Sequence, residues 1–91
     1  MADNTTELKI YGKLTVKLDK QDIKGKQKQD FVIETLGAYP KLVAFQAYGD
    51  KVDILDTFHV GNTCTVWFNP ESREYSGRYY TNLNMWKLQK D

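Results

Sequence analysis

Tyr39-Pro40-Lys41-Leu42-Val43-Ala44-Phe45-Gln46-Ala47-Tyr48, followed by Gly49-Asp50-Lys51, is the stretch from which the rest of the chain is read. It predicts a strand with a sharp exit into a helix. Val43, Phe45 and Ala47 share one face by the two-residue period, and Leu42, Ala44, Gln46 and Tyr48 share the other. One face closes a core. The other carries Lys41 at its start and an aromatic ring at its end. Pro40 falls at the strand's beginning, where a missing N–H removes few ladder bonds.

Downstream, Asp50 to Phe58 is the one helical candidate. Val52, Leu55 and Phe58 repeat at three-residue spacing, and Ile54 pairs with Phe58. Asp50 is placed to cap the start, and the acids of the first turn suit the helix dipole. Gly61-Asn62 turns the chain into a strand from Thr63 to Asn69. Cys64, Val66 and Phe68 are expected inside it, Thr65 and Trp67 outside, with Pro70 as its end. Glu71 to Gly77 reads as a polar loop. The last strand runs from Arg78 to about Leu88, with Tyr79, Thr81, Leu83 and Met85 on one face and Tyr80, Asn82, Asn84 and Trp86 on the other.

Upstream, Leu36-Gly37-Ala38 turns back to a strand from Asp30 to Thr35, with Phe31 and Ile33 inward. Asp19 to Gln29 reads as a mobile loop. The first strand is long: Leu8, Ile10, Leu14, Val16 and Leu18 are expected inward, opposite Lys9, Tyr11, Lys13, Thr15 and Lys17. Gly12 in mid-strand marks a bend or bulge where that strand turns a corner. The resulting order is five strands with one short helix between strands 3 and 4, the order of an all-β OB-fold barrel. An ordinary five-stranded sheet with one helix is the alternative, and the long, bent first strand favours the barrel. The expected organisation is a leader over residues 1–7, the OB-fold domain over 8–88 and an end segment over 89–91.

Ninety-one residues make a single domain with one small core. No apolar run approaches the roughly 18 residues of a membrane span, and the polar, acidic start is unlike a signal peptide. A single cysteine, Cys64, allows no internal disulfide, which fits a reducing cytoplasm. The net charge of +1 is uninformative, but its distribution is not. Lys9 to Lys28 contains seven lysines and two acids, whereas Asp50, Asp53 and Asp56 cluster around Lys51.

Catalysis finds little support. His59 is the only histidine, so a metal cluster has no ligand set. A Cys64–His59 nucleophile pair is imaginable, but Cys64 alternates with Val66 and Phe68 and reads as a small core residue. No phosphate-cradling glycine loop occurs, and no cofactor is implied. The acids at 50, 53 and 56 read as a solvated helix face. Nucleic-acid binding is better supported, because single-strand binders combine basic grooves with aromatic rings on which bases stack. Aromatic residues make up 13% of the chain, and Tyr11, Tyr48, Trp67, Tyr80 and Trp86 fall opposite the core, with Tyr75 in a loop. For Trp67 and Trp86, mutual packing or a dimer interface competes evenly with stacking. The lysines at 20–28 form either a solvated loop or a binding arm.

Several stretches resemble the bacterial single-stranded DNA-binding protein (SSB) family in order and spacing. These are Tyr11-Gly12-Lys13-Leu14-Thr15, Phe45-Gln46-Ala47-Tyr48-Gly49-Asp50-Lys51, Val60-Gly61-Asn62-Thr63-Cys64-Thr65-Val66, Ser72-Arg73-Glu74-Tyr75 and Arg78-Tyr79-Tyr80-Thr81. Gln29 to Thr35 and Ser72 to Arg78 are closer still to a group of short, uncharacterised bacterial and phage OB-fold proteins. The likeness covers about residues 8–88. It implies that Tyr48 and Tyr75 stack on bases beside Arg73. It also implies a homo-oligomer, dimer or tetramer. The hairpin from Leu36 to Pro40 is short and lacks the family's stacking tryptophan; Tyr39 and Leu42 are the nearest substitutes. An acidic recruiting tail is not expected after Gln89-Lys90-Asp91.

The expected function is therefore a non-enzymatic protein of the cytoplasm that coats single-stranded DNA with low sequence specificity, in replication, recombination or repair, in a host or a phage. Its expected contacts are Tyr48, Tyr75, Tyr39, Tyr11, Lys13, Lys28, Lys41, Arg73 and Arg78. Nothing marks a reader of the 2′-hydroxyl, so RNA stays open. No membrane or small-molecule substrate is expected. The alternative is a protein-interaction or assembly module on the same fold, suggested by the near-neutral charge and by Trp67 and Trp86.

Overall fold

The computed structural model describes residues 7–90. Residues 1–6 of the expected leader, and Asp91, lie outside the described residues. The elements in chain order are β1 (Leu8–Lys17), β2 (Gln21–Ile23), β3 (Lys26–Thr35), β4 (Leu42–Tyr48), α1 (Asp50–Asp56), β5 (Thr63–Tyr75) and β6 (Arg78–Lys90). Six strands replace the expected five, and the added strand makes the one before the helix, Leu42–Tyr48, the fourth in order. The added strand, β2, lies within the stretch expected to be a mobile loop. It pairs with the start of β3 across Lys24-Gly25, both at positive φ. That turn chemistry joins strands through two residues.

The sheet closes on itself. Its order is β1-β5-β6-β4-β3-β2, and β1 also pairs with β3. β1 serves both sides of the closure, so it must turn a corner, and Gly12 is the corner. Gly12 pairs with Cys64 of β5 and with Thr35 of β3. A Cβ there would sit 2.6 Å from Ile33 Cγ2 and against the Glu34 carbonyl oxygen. Only glycine lets the two backbones approach so closely.

The bulge itself lies just beyond this corner, between Leu14 and Val16. An extra residue in a strand reverses which face its later residues occupy. Leu14 is buried as expected, but Val16 and Leu18 are exposed, against expectation. Val16 lies across from Val32, on the outer face.

The core gathers Leu14, Phe31, Ile33, Phe45, Ala47, Val52, Leu55, Phe58, Cys64, Val66, Phe68, Met85 and Leu88. Phe31 stacks on Phe45 at 5.5 Å between centroids, and Phe45 meets Phe68 edge-on at 5.2 Å. α1 packs against β4, β6 and β3 with Val52 and Leu55 buried. It is shorter than the expected Asp50–Phe58 span. Its N-cap is Gly49, not Asp50, and no side chain caps it. Phe58 is buried beyond the helix, whereas Ile54 is exposed. Lys90 Nζ donates to the Thr57 carbonyl at 3.1 Å and Lys17 Nζ to that of Phe58 at 3.0 Å. Two cations therefore meet the carbonyl end of the helix, where the backbone dipole favours them.

β5 does not end at Pro70. It runs to Tyr75, turns through Ser76-Gly77, and returns as β6 in register from Tyr75↔Arg78 onward. The expected polar loop is thus a tight hairpin. Pro70 is tolerated because β1 pairs with β5 only from Thr63 to Phe68. Beyond Phe68, β5 has one open edge, and a missing N–H there breaks no ladder. Every residue from Asn69 to Thr81 is exposed, so this hairpin is an arm.

Candidate nucleic-acid interface

The ladder between β3 and β4 sets out one continuous outer face. Its cross-strand pairs are Lys28↔Tyr48, Asp30↔Gln46, Val32↔Ala44 and Glu34↔Leu42. Val16 extends the third pair onto β1, and Asn84 of β6 extends the second. Tyr48 is 40% exposed at one end, beside the β2–β3 hairpin, where Lys28 also pairs with Gln21. Because β4 and β6 run parallel here, the tip of the arm lies towards the opposite, Leu42 end. A groove of about 200 Å³ separates the face from the arm, lined by Asp30, Ala44, Phe45, Gln46, Thr81, Asn82 and Leu83.

Electrostatics along the face are mixed. Lys28 Nζ stands 3.5 Å from Asp30 Oδ1, an ion-pair distance, and that buried oxygen accepts no hydrogen bond. Lys20 is tied at 2.7 Å to Asp56 of the helix. Lys17 donates to the Phe58 carbonyl. Within residues 20–28, Lys20 and Lys28 are thus partly neutralised by acids, while Lys24 and Lys26 are exposed.

The arm has two chemically distinct faces. Arg73, Tyr75, Arg78 and Tyr80 occupy one, paired as Arg73↔Tyr80 and Tyr75↔Arg78. Glu74 and Tyr79 pair on the other. Ser72 and Thr81 hydroxyls meet at 2.9 Å, and Glu74 Oε2 accepts from the Gly77 N–H at 3.1 Å, which steadies the tip. The chain positions expected for binding thus fall into separate groups. Tyr48 and Lys28 lie at one end of the β3–β4 face. Tyr39 and Lys41 lie in the turn at its other end, where Tyr39 is 86% exposed and Thr35 closes the turn through Lys41. Arg73, Tyr75 and Arg78 lie on the arm. Tyr11 lies on a different surface, where β1 meets β5 opposite Thr65, whereas Lys13, opposite Thr63, also pairs with Glu34 and so borders the β3–β4 face.

Tyr79 and Val16 are exposed residues that sequence reasoning places with the core-facing set. The available signal is Ser76-Gly77, a two-residue turn that lets both flanking runs continue as strands. Trp67, expected outward, is on the outer side, yet it is only 9% exposed, because Lys9 and Lys87 lie over its ring. Cys64 is fully buried and His59 exposed. Among the described residues, no three His, Cys, Asp or Glu side chains are grouped to hold a metal, and no helix is long and apolar enough to cross a membrane.

Residues 9–89 match the family described as Domain of unknown function (DUF3127). The chain belongs to that family. No curated protein matches it in sequence. Solved structures similar to this DUF3127 member do exist. The mitochondrial single-stranded DNA-binding protein Rim1 of S. cerevisiae superposes with a TM-score of 0.80 at 9% identity, over 93% of this chain and 94% of that one. The second single-stranded DNA-binding protein, SSBb, of Mycobacterium smegmatis gives 0.74 at 12% identity, over 96% and 87%. The N-terminal domain of PriB from Thermoanaerobacter tencongensis, a dimeric structure, gives 0.71 at 11% identity, over 93% and 94%. At such identities the likeness establishes the architecture, an SSB-type OB-fold, and leaves the chemistry to the residues.

Proposed function

We propose that this protein binds single-stranded DNA with low sequence specificity, laying the strand along the β3–β4 face between the β2–β3 hairpin and the arm. The observation that carries this reading is the arm's Arg73, Tyr75, Arg78 and Tyr80 face, exposed and in register. Rings and guanidinium groups side by side provide stacking platforms and phosphate contacts together. Tyr48 provides a second platform about 20 Å of strand length from the Leu42 end, at about 3.3 Å per residue. Lys28 and Lys41 would hold phosphates at the two ends, and Tyr39 extends the apolar floor. The fold is also the one on which this face and its flanking hairpins bind oligonucleotides. Its structural neighbours named as single-stranded DNA-binding proteins support the same choice. In this reading the protein is not an enzyme. It acts in the cytoplasm as a homo-oligomer, in replication, recombination or repair, in a host or a phage setting.

A second reading has one observation in its favour. Leu42, Val16 and Leu18 are exposed around the same face, as in a protein-docking surface. Titration with oligo-dT, followed by intrinsic fluorescence at several salt concentrations, separates the two. Saturable quenching that weakens with salt and is abolished in the Tyr48→Ala/Tyr75→Ala variant supports the strand binder. A flat titration at low salt rejects it in favour of a protein partner.

A further inference from the structure

The basic surface of this barrel is not the β3–β4 face. Lys9 of β1, Trp67 of β5 and Lys87 of β6 are direct neighbours across two antiparallel ladders. Lys9 Nζ lies 5.5 Å and Lys87 Nζ 4.6 Å from the centroid of the same indole ring. The next row holds Tyr11, Thr65 and Gln89, and the row after it holds Lys13 with Thr63. The segments Lys9–Lys13, Thr63–Trp67 and Met85–Lys90 contain no Asp or Glu. Two carboxylates flank this row: Glu34, across from Lys13 on β3, and the exposed Glu7, two residues before Lys9. On the β3–β4 face, by contrast, Lys28 is answered by Asp30, and Glu34 lies on the same side.

This arrangement has a physical logic. Two ammonium groups gathered over one ring repel each other, and the ring's electron-rich face compensates. With its ring covered, Trp67 does not offer a stacking surface; it holds two cations in place on a rigid sheet. A second copy of the chain packed face to face here would bring lysine onto lysine, because a two-fold interface repeats the same patch. An extended polyanion instead meets complementary charge along the whole row.

We infer that the outer face of β1, β5 and β6 is a second nucleic-acid contact. It takes the sugar–phosphate backbone through Lys9, Lys87 and Lys13, without base stacking. That the polyanion is a DNA strand rests on the proposed function; that the row binds a phosphate polyanion does not. A strand longer than the β3–β4 face would be captured by this row as it leaves that face.

The test is the Lys9→Gln/Lys87→Gln variant, with Lys9→Arg/Lys87→Arg as the charge-keeping control. With a long dT oligonucleotide, the log–log salt slope of the Gln variant should shrink by about 1.4, at about 0.7 for each phosphate no longer neutralised. The Arg variant should retain the slope, and a short dT oligonucleotide should bind all forms alike. An unchanged slope for the Gln variant on the long strand overturns the inference. Failure of the single-strand reading would appear separately, as no response of the unaltered protein to dT at low salt. Inorganic polyphosphate, which has no bases, then decides the matter in a Trp86→Phe background, where Trp67 is the only tryptophan. A fluorescence response that requires Lys9 and Lys87 supports the row. A response indifferent to them, or none, overturns it.

Discussion

Tyr75 and Arg78 face each other across the Ser76-Gly77 turn, the last pair of the β5–β6 ladder. Neither touches the core, and Tyr75 is 71% exposed. Burial does not explain a large ring held at a projecting tip beside a cation, whereas stacking on a ligand does. Tyr75→Ala should therefore weaken oligo-dT binding by about 1–3 kcal/mol, the usual contribution of one stacked base. Its thermal midpoint should stay at the unaltered value, since no packing is removed. Fluorescence titration and a melting curve on the same sample check both halves. A fall in stability with unchanged binding would make Tyr75 a structural residue.

Asp30 sets a different balance on the β3–β4 face. Its Oδ1 stands 3.5 Å from Lys28 Nζ without a hydrogen bond, and its carboxylate lines the groove between face and arm. A passing phosphate meets that negative charge, and Lys28 is partly neutralised by it. Asp30→Asn should tighten oligo-dT binding several-fold and steepen the log–log salt slope by about 0.7, as one further cation becomes available. The same titrations across a salt series measure it. Weaker binding would instead show that Asp30 accepts a hydrogen bond from a base.

The corner of the barrel tolerates no side chain. Gly12 is fixed on one side by Cys64 and on the other by Thr35, so its backbone cannot retreat. A methyl group added there would press on Ile33 Cγ2 and the Glu34 carbonyl. Gly12→Ala should destabilise the protein by about 1–3 kcal/mol, the range for overpacking a filled interior. The midpoint of urea unfolding would record it. An unchanged midpoint would mean that β1 and β3 part easily at the closure.

How much of this is legible in the sequence depends on which interactions set each feature. β4 is legible because its two-residue alternation is unbroken, so Phe45 and Ala47 inside and Leu42, Gln46 and Tyr48 outside follow directly. The arm is not, because Pro70 ends a strand only where both edges are paired. Where β1 stops pairing with β5 is a fact of three dimensions. The covering of Trp67 is hidden for a similar reason, since the lysines over its ring come from two other strands. The expected binding residues have the right chemical types, but type alone does not assign a surface. Tyr11 shares a strand face with Lys9 and not with Tyr48, and Lys13, across from Glu34, stands between the two.

Leu14 and Val16 carry the sharpest test of the fold, because an unbroken two-residue period would put both inside. The register shift between them turns Val16 out, to 41% exposure, while Leu14 is 1% exposed. Leu14→Ala should cost about 2–5 kcal/mol, through the apolar atoms removed from the core and the cavity left behind. Val16→Thr should stay within about 0.5 kcal/mol, as for a surface change, because its hydroxyl remains in water. If Val16 instead faced the core, the same hydroxyl would be buried without a partner at a cost of about 1–3 kcal/mol. Paired urea melts of the two variants separate these cases. A large destabilisation at Val16 would remove the bulge and carry Leu18 inward with it, leaving the outer face without two of its apolar residues.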